Sequence, residues 1–506
     1  MQVENKPPLS VVQPPNSSPD SFLSKFHFTH FDRLVGLIVL LLLGLISAVL
    51  LLGDRVGVTL KRVGPLGTAR STSAVLIEFS EAMNRESVAA RLRVFEVPPE
   101  QMNTAEPANA LAEVTGTITW KGTALRFQPD HVLRPGSSYQ VILEAGAASE
   151  TGRLVLDEYR YGFIVRRPRV AYLAPSSRPP FNIWIADPAD PSSARQITFS
   201  PSGIYDYSVS PDGSQIAFSE RNTNTGTMDI KLLDLETGGI QQITDCTDAE
   251  CARPVWRPDG QWIAYERIDL NSDLGGQVGV SPTRIWIVDL TAQPYANRPL
   301  FSDSQILGYG LRWSGDGSRV AVFDSGSMGI LVYDFRDDST VLIPSSYGNS
   351  GELSPDGTQL VYPKVVLAEN QAFTNLELVD LAANEIRPLS FPPEAVDDDA
   401  AVWSPDGSFL VIARRYLDSR FTRGKQLYKL NPIDGSVETL LYDPLYQNGL
   451  FSLDPTGTQL VIQRFPDPAA MNDPNNPRLP EVWTLDMTSS TLVKVSADAF
   501  LSRWVP

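Results

Sequence analysis

A glycine turn recurs along the last two thirds of this chain. Gly213, Gly260, Gly317, Gly357, Gly407 and Gly457 each close a Pro-Asp-Gly-like turn, at intervals of 47, 57, 40, 50 and 50 residues. An apolar residue stands ahead of each turn: Val209, Trp256, Trp313, Leu353, Trp403 and Leu453. A β-rich run such as QIAFSE, WIAYER or RVAVFD follows it. A further strand then ends on an acidic or amide residue, as in DIKLLD, RIWIVD, GILVYD, NLELVD, QLYKLN and EVWTLD. The Asp of the turn accepts Asx-type hydrogen bonds and the Gly supplies φ > 0. Short strands repeating every ~40–50 residues are the pattern of β-propeller blades.

The two half-motifs extend the count. The late strand occurs once more at the front as NIWIAD (Asn182–Asp187), preceded by RVAYLA (Arg169–Ala174). The early strand occurs once more at the end as LSRWVP, with Trp504. Neither copy is complete, and joined they make one blade. A ring closed by both chain ends has no open sheet edge. Residues 168–506 are therefore expected to form a seven-bladed β-propeller, with six blades the runner-up. The fold class is all-β, with an Ig-like β-sandwich and one transmembrane helix ahead of the propeller.

Leu34 to Gly53, LVGLIVLLLLGLISAVLLLG, carries no charge, and 15 of its 20 residues are Leu, Ile or Val. At ~1.5 Å per residue it spans roughly 30 Å, the hydrocarbon thickness of a bilayer. No cleavage-site pattern follows it, so it reads as a transmembrane anchor over 34–53. Residues 1–33 are Pro/Ser-rich without apolar period, the composition of a disordered tail. Residues 54–67 read as a linker.

From Val170 onward there are 24 Lys and Arg against 43 Asp and Glu, whereas the first 169 residues hold 18 against 16. A strongly acidic domain repels phosphate backbones, which excludes nucleic acid as a partner class. Lys6, Lys25 and Arg33 precede the anchor; Arg55, Lys61, Arg62 and Arg70 follow it. That count favours a cytoplasmic C-terminal side, but long domains translocate largely regardless of it. Cys246 and Cys251, the chain's two cysteines, share one loop, as suits a small surface disulfide in an oxidising compartment; free thiols are the alternative. The expected topology is N-terminus cytoplasmic and bulk extracytoplasmic, in the cell membrane.

Residues 68–167 read as short strands separated by turns, a β-sandwich. AVLIEFS is a strand, ESVAARLRVF a short helix or the start of a strand, and GTITWKGTALRFQP a hairpin turning at Lys121-Gly122. GSSYQVILEAG and EYRYGFIV complete an antiparallel set. FSEAMN (Phe79–Asn84), LRFQPD, LRPGSSYQV and TGR occur in the order that resembles bacterial Ig-like domains of the SbsA kind. The segment departs from them at Ser149, where they usually carry Asp. The resemblance implies a spacer on a surface protein. The repeats from Val170 on resemble the WD-like propeller repeats of TolB, with WSPDGSFLVIA a good copy and LDPTGTQLVIQ a worn one. That resemblance implies the fold and, at the propeller mouth, docking of a lipoprotein.

Histidine narrows the chemistry. His27, His30 and His131 are the only ones, and none lies in the propeller. A Ser-His-Asp triad there is excluded, no G-x-S-x-G elbow follows, and the ligands of multi-His lyase sites are missing. No enzyme activity, cofactor or metal site is expected; VDDDA alone cannot supply the six to eight oxygens that Ca²⁺ takes. Trp256, Trp313 and Trp403 read as packing between blades.

The candidate ligand residues precede the innermost strands at the channel mouth: Tyr205, Asp206, Tyr309, Tyr347, Asn349, Asp397, Asp398, Asp399, Tyr446, Asn448 and Phe500. Aromatics mixed with Asp and Asn suit capture of a peptide or glycan, and ordinary polar loops carry the same residues. The function expected is a membrane-anchored envelope protein that docks a protein or cell-wall ligand. The alternatives are a carboxylate-based glycan hydrolase or lyase and a surface-layer component.

Overall fold

The computed structural model describes residues 30–52, 57–102, 112–273, 278–368, 371–393, 395–467, 469 and 478–506. Most of the stretch expected as a tail, residues 1–29, lies outside these. His30–Leu52 is one helix whose Leu34, Leu37, Leu40 and Leu41 side chains are all exposed. Among the described residues, no helix is long and apolar enough to cross a membrane. In this helix the side chains are described only as far as Ser47, whereas the backbone turns continue to Leu52.

Two sheets then pack face to face. One runs Leu60–Gly64, Val75–Phe79, Ala124–Pro129, Gly116–Lys121; the other runs Gly67–Ala69, Tyr159–Val165, Ser138–Leu143, Leu92–Val97, Ala112–Glu113. Period-2 alternation sends Ile77, Phe79 and Leu125 inward against Tyr139, Val141 and Phe163, the last two aromatics stacking at 5.6 Å. Two expectations, the linker boundary and the hairpin turn, need correction. Leu60–Gly64 pairs with Val75–Phe79 and Val58 lies in the core, so the sandwich begins inside the stretch expected as linker. The strands expected to form an antiparallel set all pair so, and an additional strand, Gly67–Ala69, runs parallel to Tyr159–Val165. Lys121 pairs Ala124, which moves the hairpin turn to Gly122-Thr123, with Gly122 at φ 61°. Glycine at the first central position is what a II′ turn requires. ESVAARLRVF divides into helix Arg85–Ala89, capped by the Asn84 side chain on the Ser87 N–H, and strand Leu92–Val97.

From Arg169 the described chain is strand and turn. The repeats fold into successive antiparallel four-stranded units, each starting at its innermost strand: Gly308–Trp313, Glu352–Leu353, Val396–Trp403 and Tyr446–Leu453 open four separate sheets. Two more units, opened by Ile204–Val209 and Ala249–Trp256, are merged into one eight-stranded sheet by the single parallel pair Met228–Glu250. The remaining four-stranded sheet is made from both ends of the segment: Asp190–Gln196, Asn182–Asp187 and Arg169–Ala174, with Phe500–Val505 as its fourth strand. Arg169 lies opposite Val505 and Val170 opposite Trp504. Buried Val505, Ile183 and Ile185 of this sheet pack on Ile216 and Phe218 of the next. Such burial contributes roughly 1.5–3 kcal/mol per large side chain.

Three tryptophans fasten neighbouring four-stranded units. Trp256 donates its indole N–H to the Ser208 carbonyl (3.3 Å), Trp403 to Glu352 (3.2 Å) and Trp504 to Ser452 (3.0 Å). Trp313 instead stacks on Phe335 at 5.6 Å. In the turns, Asp212, Asp316, Asp356 and Asp406 accept from the Ser or Thr N–H two residues on, and the glycines between have φ of 61–73°.

In an antiparallel four-stranded unit the turn after the innermost strand and the outer hairpin lie at one end, and the remaining connections lie at the other. The Ig-like sandwich meets the Asp-Gly turn end. Arg166 donates to the carbonyls of Gly213 (3.2 Å) and Pro506, and Arg70 lies 3.5 Å from Asp212. The starts of the innermost strands, where the candidate mouth residues stand, face the other way.

Candidate functional site

Six of the innermost strands carry a bulge near their start, Phe500–Val505 among them, and only the short Glu352–Leu353 has none. Register shifts fall between Ile204 and Asp206, Ala252 and Val255, Tyr309 and Arg312, Asp398 and Ala400, and Asn448 and Phe451. A bulge inserts an unpaired residue and re-aims its neighbours. Arg253 (φ 55°), Gly310 (φ 68°) and Leu501 (φ 53°) take left-handed backbone at these places.

The bulges gather charge around a cavity of about 230 Å³ lined by Asp206, Arg253, Glu266, Gly310, Arg312 and Arg503, among others. Glu266 anchors the wall. Its carboxylate pairs with Arg253 at 3.0 Å and accepts the Gly310 N–H at 2.8 Å. Arg312 pairs with Glu352 of the next sheet, also at 3.0 Å. Asp206 accepts the Tyr207 N–H at 2.6 Å. Burial pushes its carboxyl above its ordinary value, against the opposing pull of Arg503, that N–H, Arg253 and Arg312. Tyr205 is 52% exposed at the rim and its hydroxyl interacts with Arg253. Arg253, Glu266, Arg312, Glu352 and Arg503 were not legible as site residues, because their aim depends on bulges that no turn motif marks. Glycine at 310 was the one visible signal.

A larger cavity, about 510 Å³, opens between the closing sheet and its neighbour, with Phe199 and Ile204 in its wall. It lies away from these charges.

Of the residues expected at the mouth, Tyr205 and Asp206 meet at the charged cavity. The acidic triplet is instead bound into the fold. Asp398 is fully buried, gripped by Arg414 through both oxygens (2.8 and 2.7 Å) and bonded by the Ser390 hydroxyl at 2.5 Å. Asp397 accepts from Thr374 and pairs with Arg415 (2.6 Å) and Lys425 (3.1 Å). Burial acts to raise its carboxyl, but Lys425 and Thr374 outweigh it and hold it low. Asp399 shares Lys425 at 2.9 Å. Exposed Tyr347 stands in the field of Asp397 and Asp399.

The other candidates also have structural partners. Asn448 is buried and accepts from Arg464 at 3.1 Å; that guanidinium lies 4.0 Å from the Tyr446 ring centre. Tyr309 packs on Phe323 and Phe500 on Phe181, at 5.5 and 5.1 Å between ring centres. Exposed Asn349 accepts the Gly351 N–H at 2.7 Å. Cys246 and Cys251 are joined in a disulfide, but both are buried, which corrects the expected surface position. Cys251 sits on an innermost strand, and the Cys246 N–H donates to buried Asp229 at 2.8 Å. Among the described residues, no group of three or more His, Cys, Asp or Glu is arranged to hold a metal ion.

Residues 54–164 match the bacterial Ig-like domain family. The sandwich is a bacterial Ig-like domain. No curated protein matches the chain in sequence. Among solved structures, the chain is similar to an oligogalacturonate lyase from Vibrio parahaemolyticus (15% identity, 64% of this chain and 85% of that one, TM-score 0.43). It is also similar to TolB from Acinetobacter baumannii (17%, 75% and 95%, 0.36) and to the β-propeller domain of the Trilobed protease from Pyrococcus furiosus (14%, 72% and 95%, 0.42). The Ig-like domain precedes a succession of antiparallel four-stranded units whose first strands frame the charged cavity.

Proposed function

We propose that this chain is a membrane-anchored envelope protein that presents a seven-bladed propeller for docking of a protein or cell-wall ligand. The blade number follows from taking each four-stranded unit as a blade, the merged sheet as two, and the sheet made from both ends as the seventh. The uncharged run Leu34–Gly53, which extends past the described side chains, would be the anchor and the Ig-like domain the spacer. One observation carries the reading. The spacer grips the Asp-Gly turn face, which leaves the opposite face, with exposed Tyr205 and the arginine-lined cavity, open to a partner. The buried disulfide supports an extracytoplasmic location.

The test has two arms. Protease added to intact cells should degrade the propeller, and Tyr205→Ala should reduce capture of the envelope partner by the purified full chain. Protection of the propeller on intact cells, or capture unchanged by the substitution, would refute it. A second reading rests on Asp206, a carboxyl with raised proton affinity in the same cavity as Glu266. Such a pair suits acid/base cleavage of a glycan. Turnover of a polysaccharide panel that vanishes in Asp206→Asn would establish that reading instead.

A further inference from the structure

Among the described residues, the three arginines of the cavity differ in how they are satisfied. Arg253 has Glu266 and Arg312 has Glu352. Arg503 makes no ion pair, and its Nε is buried with no hydrogen-bond partner. Asp206 shares its cavity and feels its charge without accepting a hydrogen bond from it. A buried donor without an acceptor costs stability, so an acceptor that enters the cavity and meets it adds a hydrogen bond without breaking one.

The setting sharpens this. From Val170 on, the chain carries 24 Lys and Arg against 43 Asp and Glu, so arginines from three different innermost strands meeting in one cavity are a local inversion of the domain's charge. A guanidinium presents its N–H groups in a planar fork that matches a carboxylate.

We propose, building on the docking reading above, that the cavity takes the carboxylate of an acidic peptide side chain, with Arg503 as its principal donor. About 230 Å³ accommodates a single Glu or Asp side chain. Such a side chain enters end-on while its main chain stays at the rim beside Tyr205. A sugar acid within a polymer would have to bring both neighbouring rings with it. Arg253 and Arg312 flank the incoming anion while keeping Glu266 and Glu352, and Asp206 opposes it.

The experiment uses the full chain in detergent with two fluorescein-labelled probes, the amides of Gly-Glu-Gly and Gly-Gln-Gly, followed by fluorescence anisotropy. The glutamyl peptide should bind about tenfold more tightly than its glutaminyl twin, since only the former offers a charge-assisted fork. Arg503→Lys, which keeps charge but loses the fork, should erase most of that difference, and Asp206→Asn should tighten glutamyl binding. Arg312→Lys, a second variant less central to the ring's closing strand, should weaken it in part. Equal affinity for the two peptides would overturn the proposal. So would glutamyl binding untouched in both arginine variants, or displacement by free glucuronate at lower concentration than by unlabelled glutamyl peptide. If the peptides fail while Tyr205→Ala still abolishes partner capture, docking stands and the carboxylate site falls.

Discussion

The indole N–H of Trp504 donates to the carbonyl of Ser452 at 3.0 Å, while the backbone of Trp504 lies in register with Val170. One residue thus joins the strand from the end of the segment to the strand from its beginning and to the neighbouring sheet. Trp256 and Trp403 make the same indole contact elsewhere in the ring, but their strands are continuous with the rest of their sheets.

Trp504→Phe should therefore cost about 1 kcal/mol, the net worth of a lost hydrogen bond, and Trp504→Ala about 3–5 kcal/mol through the cavity it leaves. Urea unfolding followed by circular dichroism measures both. An alanine variant as stable as the parent would mean that the ring does not depend on this strand.

Asp398 and Arg414 form an ion pair with both side chains almost completely buried. Removing one partner strands the other's charge in the core, so Asp398→Ala should destabilise by about 3–5 kcal/mol. Replacing both by Leu should recover much of that loss, because the desolvation cost goes with the charges. Neither change should alter glutamyl-peptide affinity at 25 °C if the protein remains folded, since the pair lies apart from the cavity. A selective loss of binding without loss of stability would return Asp398 to the mouth.

The repeat made the propeller legible because its turns share a chemistry, an Asp to accept N–H groups and a Gly to bend, and because Trp256, Trp403 and Trp504 each reach the adjacent unit. The join between Arg169–Ala174 and Phe500–Val505 was legible for the same reason, as two halves of one pattern. The mouth was less so. Position before an innermost strand located Tyr205 and Asp206, yet Asp397, Asp398 and Asn448, with the same local signature, turn inward to cations of their own units. Which way such a residue faces is decided by an Arg or Lys arriving from another strand: Arg414 and Lys425 for the triplet, Arg464 for Asn448. Those pairings are long-range and leave no mark in the local spacing.

The Cys246–Cys251 bridge is buried between sheets, so reagents should reach it only after opening. With 5 residues of separation, the loop it closes is short, and the chain-entropy model assigns it about 2 kcal/mol. Replacing both cysteines by Ala should lower stability by about that amount. In the parent, a thiol-reactive maleimide should label neither residue under native conditions without reductant. Labelling of the native, unreduced protein would show that the bridge is not formed.

Asp206 sets a pH dependence whose direction follows from its surroundings. Burial raises its carboxyl above the ordinary 3.8, and Arg503, the Tyr207 N–H, Arg253 and Arg312 only partly offset this. Glu266, the other carboxylate of the cavity, is already paired with Arg253. A raised folded value means that the native state holds this proton more tightly than the unfolded chain does. Its contribution therefore favours folding below 3.8 and is lost as pH rises through the folded value. Above the ordinary value, burying this carboxyl is therefore a net cost to folding. Asp206→Asn should accordingly raise the propeller's melting temperature at pH 7 and lose that advantage as the pH is lowered through the carboxyl's window. Melting curves of the two proteins across that range decide it: a variant less stable than the parent at pH 7 would mean that the arginines hold Asp206 as a favourable anion.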